Sequence, residues 1–276
     1  MGVLVAGRFR LDLGKPLVMG VVNVTPDSFS DGGKFFDPKA AVAHALRLAE
    51  EGADILDIGG ESSRPGALPV SVFQEMDRIL PVLEGLRTLE KPISVDTRRP
   101  EVMQAALSAG ASMINDIEAL QAPGAVEVAA KAQCAVCLMH MKGEPATMQK
   151  GPHYDDVVGE VLGFLKKRMQ AAMQAGIAQE RIAIDPGFGF GKTAAHNFEL
   201  LRRLEEFSSL GVPVLAGWSR KSTLGKLTGR PADERLAGSL AAALLALQGG
   251  ATILRVHDIK ETRDVIAVWS AYKNES

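Results

Sequence analysis

The sequence lacks an excess of charge of either sign. It has 31 lysines and arginines against 33 aspartates and glutamates, a formal net charge of −2, and a pI of about 6.2. A protein that binds nucleic acid or an anionic membrane over a broad surface would carry a basic excess. We therefore predict no nucleic-acid partner and no membrane partner, and basic residues matter only where they cluster locally.

Targeting and membrane segments are also missing. Residues 1–15 place arginines among apolar residues and do not follow the basic-then-apolar order of a signal peptide. The longest uncharged run, residues 236–254, approaches the length of a membrane span, but Ser239, Gln248 and the glycine pair at 249–250 interrupt it. This run predicts a buried helix, a turn and a buried strand, and we expect a cytoplasmic protein.

Motifs of redox, metal-dependent and nucleophilic sites are scarce. The two cysteines, Cys134 and Cys137, lie among apolar residues that predict a buried strand, which points them to opposite faces. A reactive dithiol needs a helix start that lowers the thiol pKa, so we predict no redox site. Neither H-E-x-x-H nor G-x-S-x-G nor a Cys–His ligand cluster occurs. We expect His44, His153 and His196 at the surface or in packing positions.

The sequence does contain an eightfold alternation of short apolar runs and helical stretches. The predicted strands are 17–22, 54–58, 92–95, 113–117, 135–139, 182–184, 214–216 and 253–256. The predicted helices are 38–50, 71–90, 100–108, 124–131, 154–175, 197–207, 233–247 and 259–273. Runs that are apolar on both faces are typical of parallel strands covered by helices on one side and a barrel interior on the other.

This alternation predicts the fold class. A chain of 276 residues suits one eightfold barrel of about 250 residues, and no Pro/Ser-rich linker divides it. We predict a single α/β domain over residues 1–276, a (β/α)8 TIM barrel, with an open doubly wound sheet as the alternative. Residues 4–13 alternate around Gly7 and predict a short N-terminal β-hairpin that caps the bottom of the barrel.

Polar residues gather at the ends of the predicted strands, where barrel enzymes place their chemistry. In chain order they are Asn23, Asp27, Glu61, Ser63, Arg64, Asp96, Asn115, Asp116, His140, Asp185, Ser219, Arg220, Lys221, Ser222, Arg255 and His257. Amides and carboxylates such as Asp96 and Asn115 suit a polar heterocycle, whereas Arg64, Lys221 and Arg255 suit an anion such as phosphate. Helix capping explains single aspartates and serines, but it does not explain three cations on one rim.

Two loops on this rim are candidates for contact with a substrate. Residues 23–33 are polar yet expose Phe29, as in a mobile lid, and residues 59–66 bring a hydroxyl and a guanidinium to a tight turn. The residues also leave open a Mg²⁺ ion bound mostly through phosphates, since this ion needs only one or two protein oxygens. Asn23 is a candidate ligand.

A third loop, residues 185–193, contains Gly-Lys and invites comparison with a phosphate-binding loop. Four residues have to separate the first glycine from Gly-Lys, but Gly187 and Gly191 enclose only three, and Pro186 occupies the position that requires glycine. The dinucleotide motif G-x-G-x-x-G fails as well, because Lys192 stands in place of its third glycine. We therefore predict no nucleotide-binding loop.

Eight short motifs carry a family resemblance. They are Asn-Val-Thr-Pro-Asp-Ser-Phe-Ser-Asp-Gly-Gly at 23–33, Gly-Gly-Glu-Ser-Ser-Arg-Pro-Gly at 59–66, Ser-Val-Asp-Thr at 94–97, Ile-Asn-Asp-Ile at 114–117, Leu-Met-His-Met at 138–141, Asp-Pro-Gly-Phe-Gly-Phe-Gly-Lys at 185–192, Ser-Arg-Lys-Ser at 219–222 and Arg-Val-His-Asp at 255–258. In these motifs and in their order, the chain resembles the dihydropteroate synthases, a family of pterin-binding TIM barrels. The resemblance spans residues 17 to about 264.

The resemblance implies a role for each matching residue. Residues at pterin-binding positions are Asp96, Asn115, Asp185 and Lys221, with Met139 beside them. Residues at positions that handle pyrophosphate and its Mg²⁺ are Asn23, Arg64, Arg255 and His257. Residues around p-aminobenzoate are Ser63, Pro65, Phe29, Phe190, Lys221 and Ser222, and Gly189 and Gly217 are further substrate-binding positions. The family more often has threonine where Ser63 stands, so the hydroxyl is kept and a methyl group is lost.

The implied activity joins 6-hydroxymethyl-7,8-dihydropterin pyrophosphate to p-aminobenzoate, with loss of pyrophosphate, in folate biosynthesis. The implied catalytic residues are Asp96, Asp185, Lys221, Arg64 and Arg255. The resemblance further implies a homodimer, Mg²⁺ as cofactor, small-molecule substrates and competition by sulfonamides. A methyltransferase barrel acting on methyltetrahydrofolate and a non-catalytic pterin-binding protein are the alternatives.

Overall fold

The described strands form an antiparallel hairpin and a parallel barrel. The structure, a computed structural model, describes residues 2–25, 37–62 and 69–274. Its strands are β1 (Val3–Ala6), β2 (Phe9–Asp12), β3 (Leu17–Asn23), β4 (Ile55–Gly59), β5 (Ile93–Asp96), β6 (Met113–Asp116), β7 (Ala135–Met139), β8 (Ile182–Asp185), β9 (Leu215–Ala216) and β10 (Ile253–Val256). From β3 to β8 each strand pairs in parallel with the next, and β10 pairs with both β9 and β3. A parallel bridge between Ile184 and Val214 closes the circle.

Apolar side chains cover both faces of the barrel strands. Met19, Ile55 and Met113 pack in a fully buried cluster inside the barrel, whereas alternate positions such as Val18 and Leu56 belong to the cluster under the helices. Burial on both faces explains why these strands are continuous apolar runs in the sequence. The predicted TIM barrel is confirmed, because an open sheet would lack the closing bridge.

The N-terminal hairpin plugs the bottom of the barrel. Strands β1 and β2 are antiparallel, and Gly7 at their turn has φ +58°, which glycine adopts without strain. Leu4 and Ala6 are fully buried in the inner cluster, together with Leu17 and Leu215 from the beginnings of barrel strands. The predicted hairpin cap is therefore confirmed.

Helices connect the strands on the outside. They are α1 (Pro38–Glu50), α2 (Val72–Gly85), α3 (Pro100–Ser108), α4 (Ala125–Lys131), α5 (Val157–Gln174), α6 (Ala194–Arg202), α7 (Ser222–Thr228), α8 (Leu236–Gln248) and α9 (Ile259–Asn274). Asp37 caps α1 by accepting from the backbone N–H of Lys39, and proline occupies the first helical position. Ser71 and Gln74 form a reciprocal capping box at the start of α2.

Helices α5 and α8 each begin three residues later than predicted, and α2, α6 and α7 also differ from the sequence prediction. Helix α2 ends at Gly85 instead of residue 90, since glycine is a poor helix former. Helix α6 begins three residues early because Thr193 and His196 form a capping box, and a 3₁₀ segment, Leu204–Leu210, replaces its predicted end. Helix α7 was not predicted, since its seven residues lie between turns and end at a left-handed Gly229.

The cysteines and the long uncharged run have the predicted structural roles. Cys134 faces the helix-side cluster and Cys137 the inner cluster, and both are free and buried. Burial raises the pKa of Cys134 to about 11 and raises that of Cys137 well above its usual value, which opposes thiol reactivity. Residues 236–254 form α8, a glycine turn and β10. Within the described ranges no helix is long and apolar enough to span a membrane.

Candidate active site

Predicted site residues meet inside the barrel at the carboxyl ends of its strands. Asp96 ends β5, Asn115 lies in β6, Asp185 ends β8 and Arg255 lies in β10. Arg255 is hydrogen-bonded to Asp57 of β4, a strand that is not its neighbour in the sheet. Arg255 pairs in the strand register with Met19 of the inner cluster, so the bond passes over β3 inside the barrel and these side chains face its axis.

Two carboxylates hold Arg255. Its Nε donates to Asp57 Oδ2 at 2.6 Å and its Nη2 donates to Asp96 Oδ2 at 2.9 Å. Burial alone would lower the pKa of Arg255, but these carboxylates outweigh burial and raise it. Burial raises the pKa of Asp96, and Arg255 opposes that shift. The centre thus carries a permanent cation that is suited to binding an anionic group.

Asp57 is a site residue that sequence reasoning missed. It is fully buried, and its Oδ2 also accepts from Asn115 Nδ2 at 3.1 Å. Asp57 Oδ1, Asn115 Oδ1 and Ser94 Oγ are buried without a hydrogen-bond partner in the part of the chain that the structure describes. Buried polar atoms normally have partners, so these atoms mark a place for a ligand or water. The available signal was a carboxylate in the middle of an apolar strand.

A buried lysine holds the loop that follows β8. Lys192 Nζ lies 2.9 Å from His140 Nδ1 and donates to the carbonyl oxygens of His140 at 3.2 Å, Gly187 at 2.9 Å and Phe190 at 3.1 Å. Burial lowers the pKa of Lys192 well below its usual value, and burial also lowers that of His140 to about 2. Lys192 therefore organises backbone, and the absence of nucleotide binding stays a prediction.

This loop fixes Asp185. The Asp185 Oδ1 accepts from the backbone N–H of Gly187 at 2.7 Å, and the side chain is buried. Burial raises the pKa of Asp185, while the Gly187 N–H and Lys221 oppose that shift. Gly187 has φ +71°, and a Cβ atom there would collide with the carbonyl oxygen of His140. Only glycine suits this position.

Lys221 links the same loop to the segment after β9. Its Nζ donates to the Phe188 carbonyl oxygen at 2.6 Å and lies 4.2 Å from the centre of the Phe190 ring. Burial lowers the pKa of Lys221 to about 8, and Asp185 opposes that shift. A Cβ atom on Gly189 would lie 3.2 Å from Lys221 Cδ, so glycine leaves room for the lysine. The structure thus groups three predicted positions, Gly189, Phe190 and Lys221.

The remaining described positions lie on the same rim. Met139 ends β7, is buried, and stands opposite Asp185 in the strand register. Gly217 follows β9, where an added Cβ atom would lie 3.9 Å from Arg255 Cβ. His257 follows β10, and its Nδ1 is 3.0 Å from Ser219 Oγ.

Some predicted positions are exposed or not described. Ser222 begins α7 and is exposed. Phe29, Ser63, Arg64 and Pro65 lie outside the described residues.

The predicted metal ligand also stands at the rim. Asn23 ends β3, is half-buried and pairs with Gly59 in the strand register. In the described ranges no group of three or more His, Cys, Asp or Glu side chains is placed to hold a metal ion. A cation here would therefore depend on ligands other than clustered carboxylates.

A charged network flanks Asp96 on the β4–β5 side. Arg99 pairs with Glu61 at 2.8 Å and with Glu75, and it donates to the Val70 carbonyl oxygen at 2.6 Å. A cavity of about 190 Å³ beside this network is lined by Glu61, Asp96, Thr97, Arg98 and Ile117, among others. The network therefore ties the chain on both sides of residues 63–68 to the rim.

Comparison with known proteins identifies the family. Residues 19–257 match the family described as pterin binding enzyme. The dihydropteroate synthase of Neisseria meningitidis serogroup B is 53% identical over 273 residues, which cover 96% of each chain. The chain belongs to the dihydropteroate synthase family of pterin-binding enzymes. The resemblance carried by the eight motifs is confirmed, and the chain is a transferase.

Solved structures of dihydropteroate synthases agree with this assignment. The Xanthomonas albilineans protein with 4-aminobenzoic acid is 55% identical, with a TM-score of 0.92 and 98% of each chain covered. A structure of the enzyme from that organism with 7,8-dihydropteroate gives 52% identity, a TM-score of 0.89 and the same coverage. The Yersinia pestis protein, solved as a sulfonamide drug complex, is 46% identical with a TM-score of 0.94 and 99% of each chain covered.

Proposed function

We propose that the chain condenses 6-hydroxymethyl-7,8-dihydropterin pyrophosphate with p-aminobenzoate to form 7,8-dihydropteroate and pyrophosphate. The observation that carries this proposal is Asn115 Oδ1, a buried acceptor without a partner in the described ranges, in the same interior as Asp96 and Asp185. A pterin ring offers N–H donors to such acceptors and a carbonyl oxygen to Lys221. The related structure that contains 7,8-dihydropteroate supports this choice of heterocycle.

The proposed chemistry separates charge. The bond that breaks joins the pterin methylene carbon to a pyrophosphate oxygen, and its electron pair leaves with pyrophosphate. Arg255, together with Arg64, stabilises the departing anion, since cations act most strongly where charge develops in an enclosed site. The carboxylates of Asp96 and Asp185 stabilise the positive charge that spreads from the carbon into the ring.

The attacking amine needs no strong base. The nitrogen of p-aminobenzoate is neutral and carries a free electron pair, which forms the new C–N bond after the pyrophosphate bond has loosened. The surplus proton then leaves the nitrogen for water or pyrophosphate. The substitution is therefore dissociative.

The second pocket adjoins the first. Lys221 contacts the Phe188 carbonyl oxygen and the Phe190 ring of the loop that begins at Asp185, and we assign its one ammonium to both the pterin and p-aminobenzoate. The family resemblance also assigns Ser63, Pro65 and Ser222 to this pocket. The related structure that holds 4-aminobenzoic acid supports a site for this substrate.

A Mg²⁺ ion fits the donor set of the rim. Asn23 would offer one amide oxygen at the end of β3, and phosphates and water would supply the other ligands. When bound, Mg²⁺ neutralises charge on the pyrophosphate. His257 lies on the same rim and donates a hydrogen bond to the pyrophosphate in this proposal.

The test is pyrophosphate release from the dihydropterin substrate. We expect release that requires p-aminobenzoate, yields dihydropteroate and falls when EDTA removes Mg²⁺. Release without the arylamine would indicate a hydrolase, whereas pterin binding without release would indicate a non-catalytic binding protein.

A sulfonamide, which mimics p-aminobenzoate, tests the second pocket in the same assay. Inhibition that excess p-aminobenzoate fails to relieve would contradict the assigned second pocket.

We further propose a homodimer that acts in the cytoplasm. Helices α8 and α9 present exposed apolar side chains on neighbouring surfaces, with Leu245 48%, Val268 71% and Tyr272 69% exposed. Exposed apolar patches of this kind are typical of protein interfaces. A second copy of the chain covers this face in the proposed assembly.

The dimer has a direct test. Sedimentation equilibrium is expected to give twice the chain mass of 29.3 kDa, and Leu245→Glu/Val268→Glu is expected to give a monomer. Met173→Glu on α5 changes a similarly exposed residue, at 42%, away from the patch and is expected to remain dimeric. A monomeric wild-type protein would contradict the proposal.

A further inference from the structure

We propose that Asp57 is a positioning residue that orients Arg255 and Asn115 toward the substrate. Asp57 lies on β4 beneath the rim and is fully buried. Its Oδ2 accepts from both residues, one on β10 and one on β6. This role rests on the proposed function, in which those two residues contact the pterin pyrophosphate and Asp57 does not.

Asp57 determines which atom of Asn115 is presented to a ligand. A carboxylate accepts hydrogen bonds and does not donate them, so the Asn115 amide has to turn its Nδ2 toward Asp57. Its Oδ1 is then left buried without a partner among the described residues. Asn115 consequently offers an acceptor, and the pterin ring supplies N–H donors of the matching kind.

Asp57 likewise determines how Arg255 is placed. The guanidinium is planar, and its Nε–Nη2 edge faces Asp57 and Asp96. With that edge occupied, the end formed by the two terminal nitrogens is left for the pyrophosphate. Asp57 and Asp96 hold different nitrogens of the guanidinium, Nε and Nη2 respectively.

Core packing alone does not account for Asp57. A buried ion pair is often no more stable than apolar residues of similar volume. The neighbouring strand positions are apolar, so an apolar side chain at residue 57 would continue the inner layer. We therefore assign the Asp57 carboxylate to orienting Arg255 and Asn115.

Asp57→Asn tests this role because it keeps the size of the side chain but removes its negative charge and puts an N–H donor in place of one oxygen. Weakening the charge-assisted hydrogen bond from Arg255 is expected to lower kcat/KM for the pterin pyrophosphate roughly 30-fold. The KM for p-aminobenzoate is expected to change less than about twofold, since that pocket lies on the Lys221 side. Calorimetric affinity for the pterin pyrophosphate is expected to fall in parallel.

Ser112→Ala is the matched control. Ser112 is a buried polar residue directly before β6, at the end of that strand away from the rim, and its Oγ lies 3.5 Å from the Ile93 carbonyl oxygen. Its removal is expected to leave kcat/KM unchanged. Asp57→Glu is a second variant, which keeps the charge but displaces the oxygens by one methylene. It is also expected to lower kcat/KM for the pterin pyrophosphate while the KM for p-aminobenzoate changes little.

A double-mutant comparison separates positioning from a general effect on stability. In an Arg255→Ala background, Asp57→Asn is expected to cost less than about threefold, because only Asn115 remains for it to orient. A loss as large as in the wild-type background would overturn the proposal. So would Asp57 variants that lower the melting temperature but leave the affinity for the pterin substrate unchanged. Absence of turnover in the wild-type protein would instead contradict the proposed function.

Discussion

Replacing Lys221 by alanine is expected to lower kcat/KM for both substrates by about a thousandfold. The Lys221 ammonium contacts two groups of the loop that begins at Asp185, the Phe188 carbonyl oxygen and the Phe190 ring. Because one cation serves the pterin and p-aminobenzoate alike, both KM values should rise and kcat should fall. Steady-state kinetics with each substrate varied in turn measures this.

Lys226→Ala is the control for that prediction. Lys226 lies on the same helix, α7, but is exposed. Its loss is expected to change kcat/KM less than about twofold, as surface substitutions usually do. A Lys221→Ala variant with near-normal turnover would remove Lys221 from the site, and an effect on one substrate only would remove it from one pocket.

The pH dependence tests the same ammonium in a second way. Burial lowers the pKa of Lys221 to about 8. The group is charged below that pH and loses its proton as the pH rises through about 8, so kcat/KM is expected to fall on the alkaline side. Arginine stays charged in this range, so Lys221→Arg is expected to lack the alkaline fall even if it is slower overall. An unchanged alkaline fall would assign the titration to another group.

Strand positions and the rim were predictable from the sequence because both follow local rules. Parallel strands with two buried faces appear as apolar runs, and the polar residues that follow them meet at the carboxyl end of the barrel. Asp96, Asn115, Asp185 and Arg255 were assigned to the rim in this way, and the structure brings them together. Their roles with substrate stay predictions.

Pairings across the barrel were not predictable in this way. Asp57 and Arg255 are 198 positions apart in the sequence. They meet only because the strand order of the closed barrel places β4 and β10 on either side of β3. Lys192 is similar, since two of the carbonyl oxygens that it binds, those of Gly187 and Phe190, belong to a loop with left-handed glycines, and the third, that of His140, follows β7. Spacing could exclude a nucleotide-binding loop there, but it could not show where those carbonyl groups point.

Substituting Gly187 by alanine is expected to have the largest effect on stability. The residue has φ +71°, and a Cβ atom would strike the carbonyl oxygen of His140, a backbone atom in the adjoining strand-end segment. Backbone strain and the clash add, so we expect a loss of at least about 4 kcal/mol in the free energy of unfolding. Urea unfolding measures this loss, and activity is expected to fall with it because the Asp185 contact to the Gly187 N–H is displaced.

Gly163→Ala provides the matched control. Gly163 lies within α5, and a Cβ atom there meets nothing within 4 Å. Alanine in a helix interior is better than glycine by about 0.5–1 kcal/mol, so this variant is expected to be slightly more stable than the wild type and equally active. If Gly187→Ala unfolded at a urea concentration close to that of Gly163→Ala, the tight turn would not hold the Asp185 loop. The fixed position of the Asp185 carboxylate, which is proposed to bind the pterin, would then need another explanation.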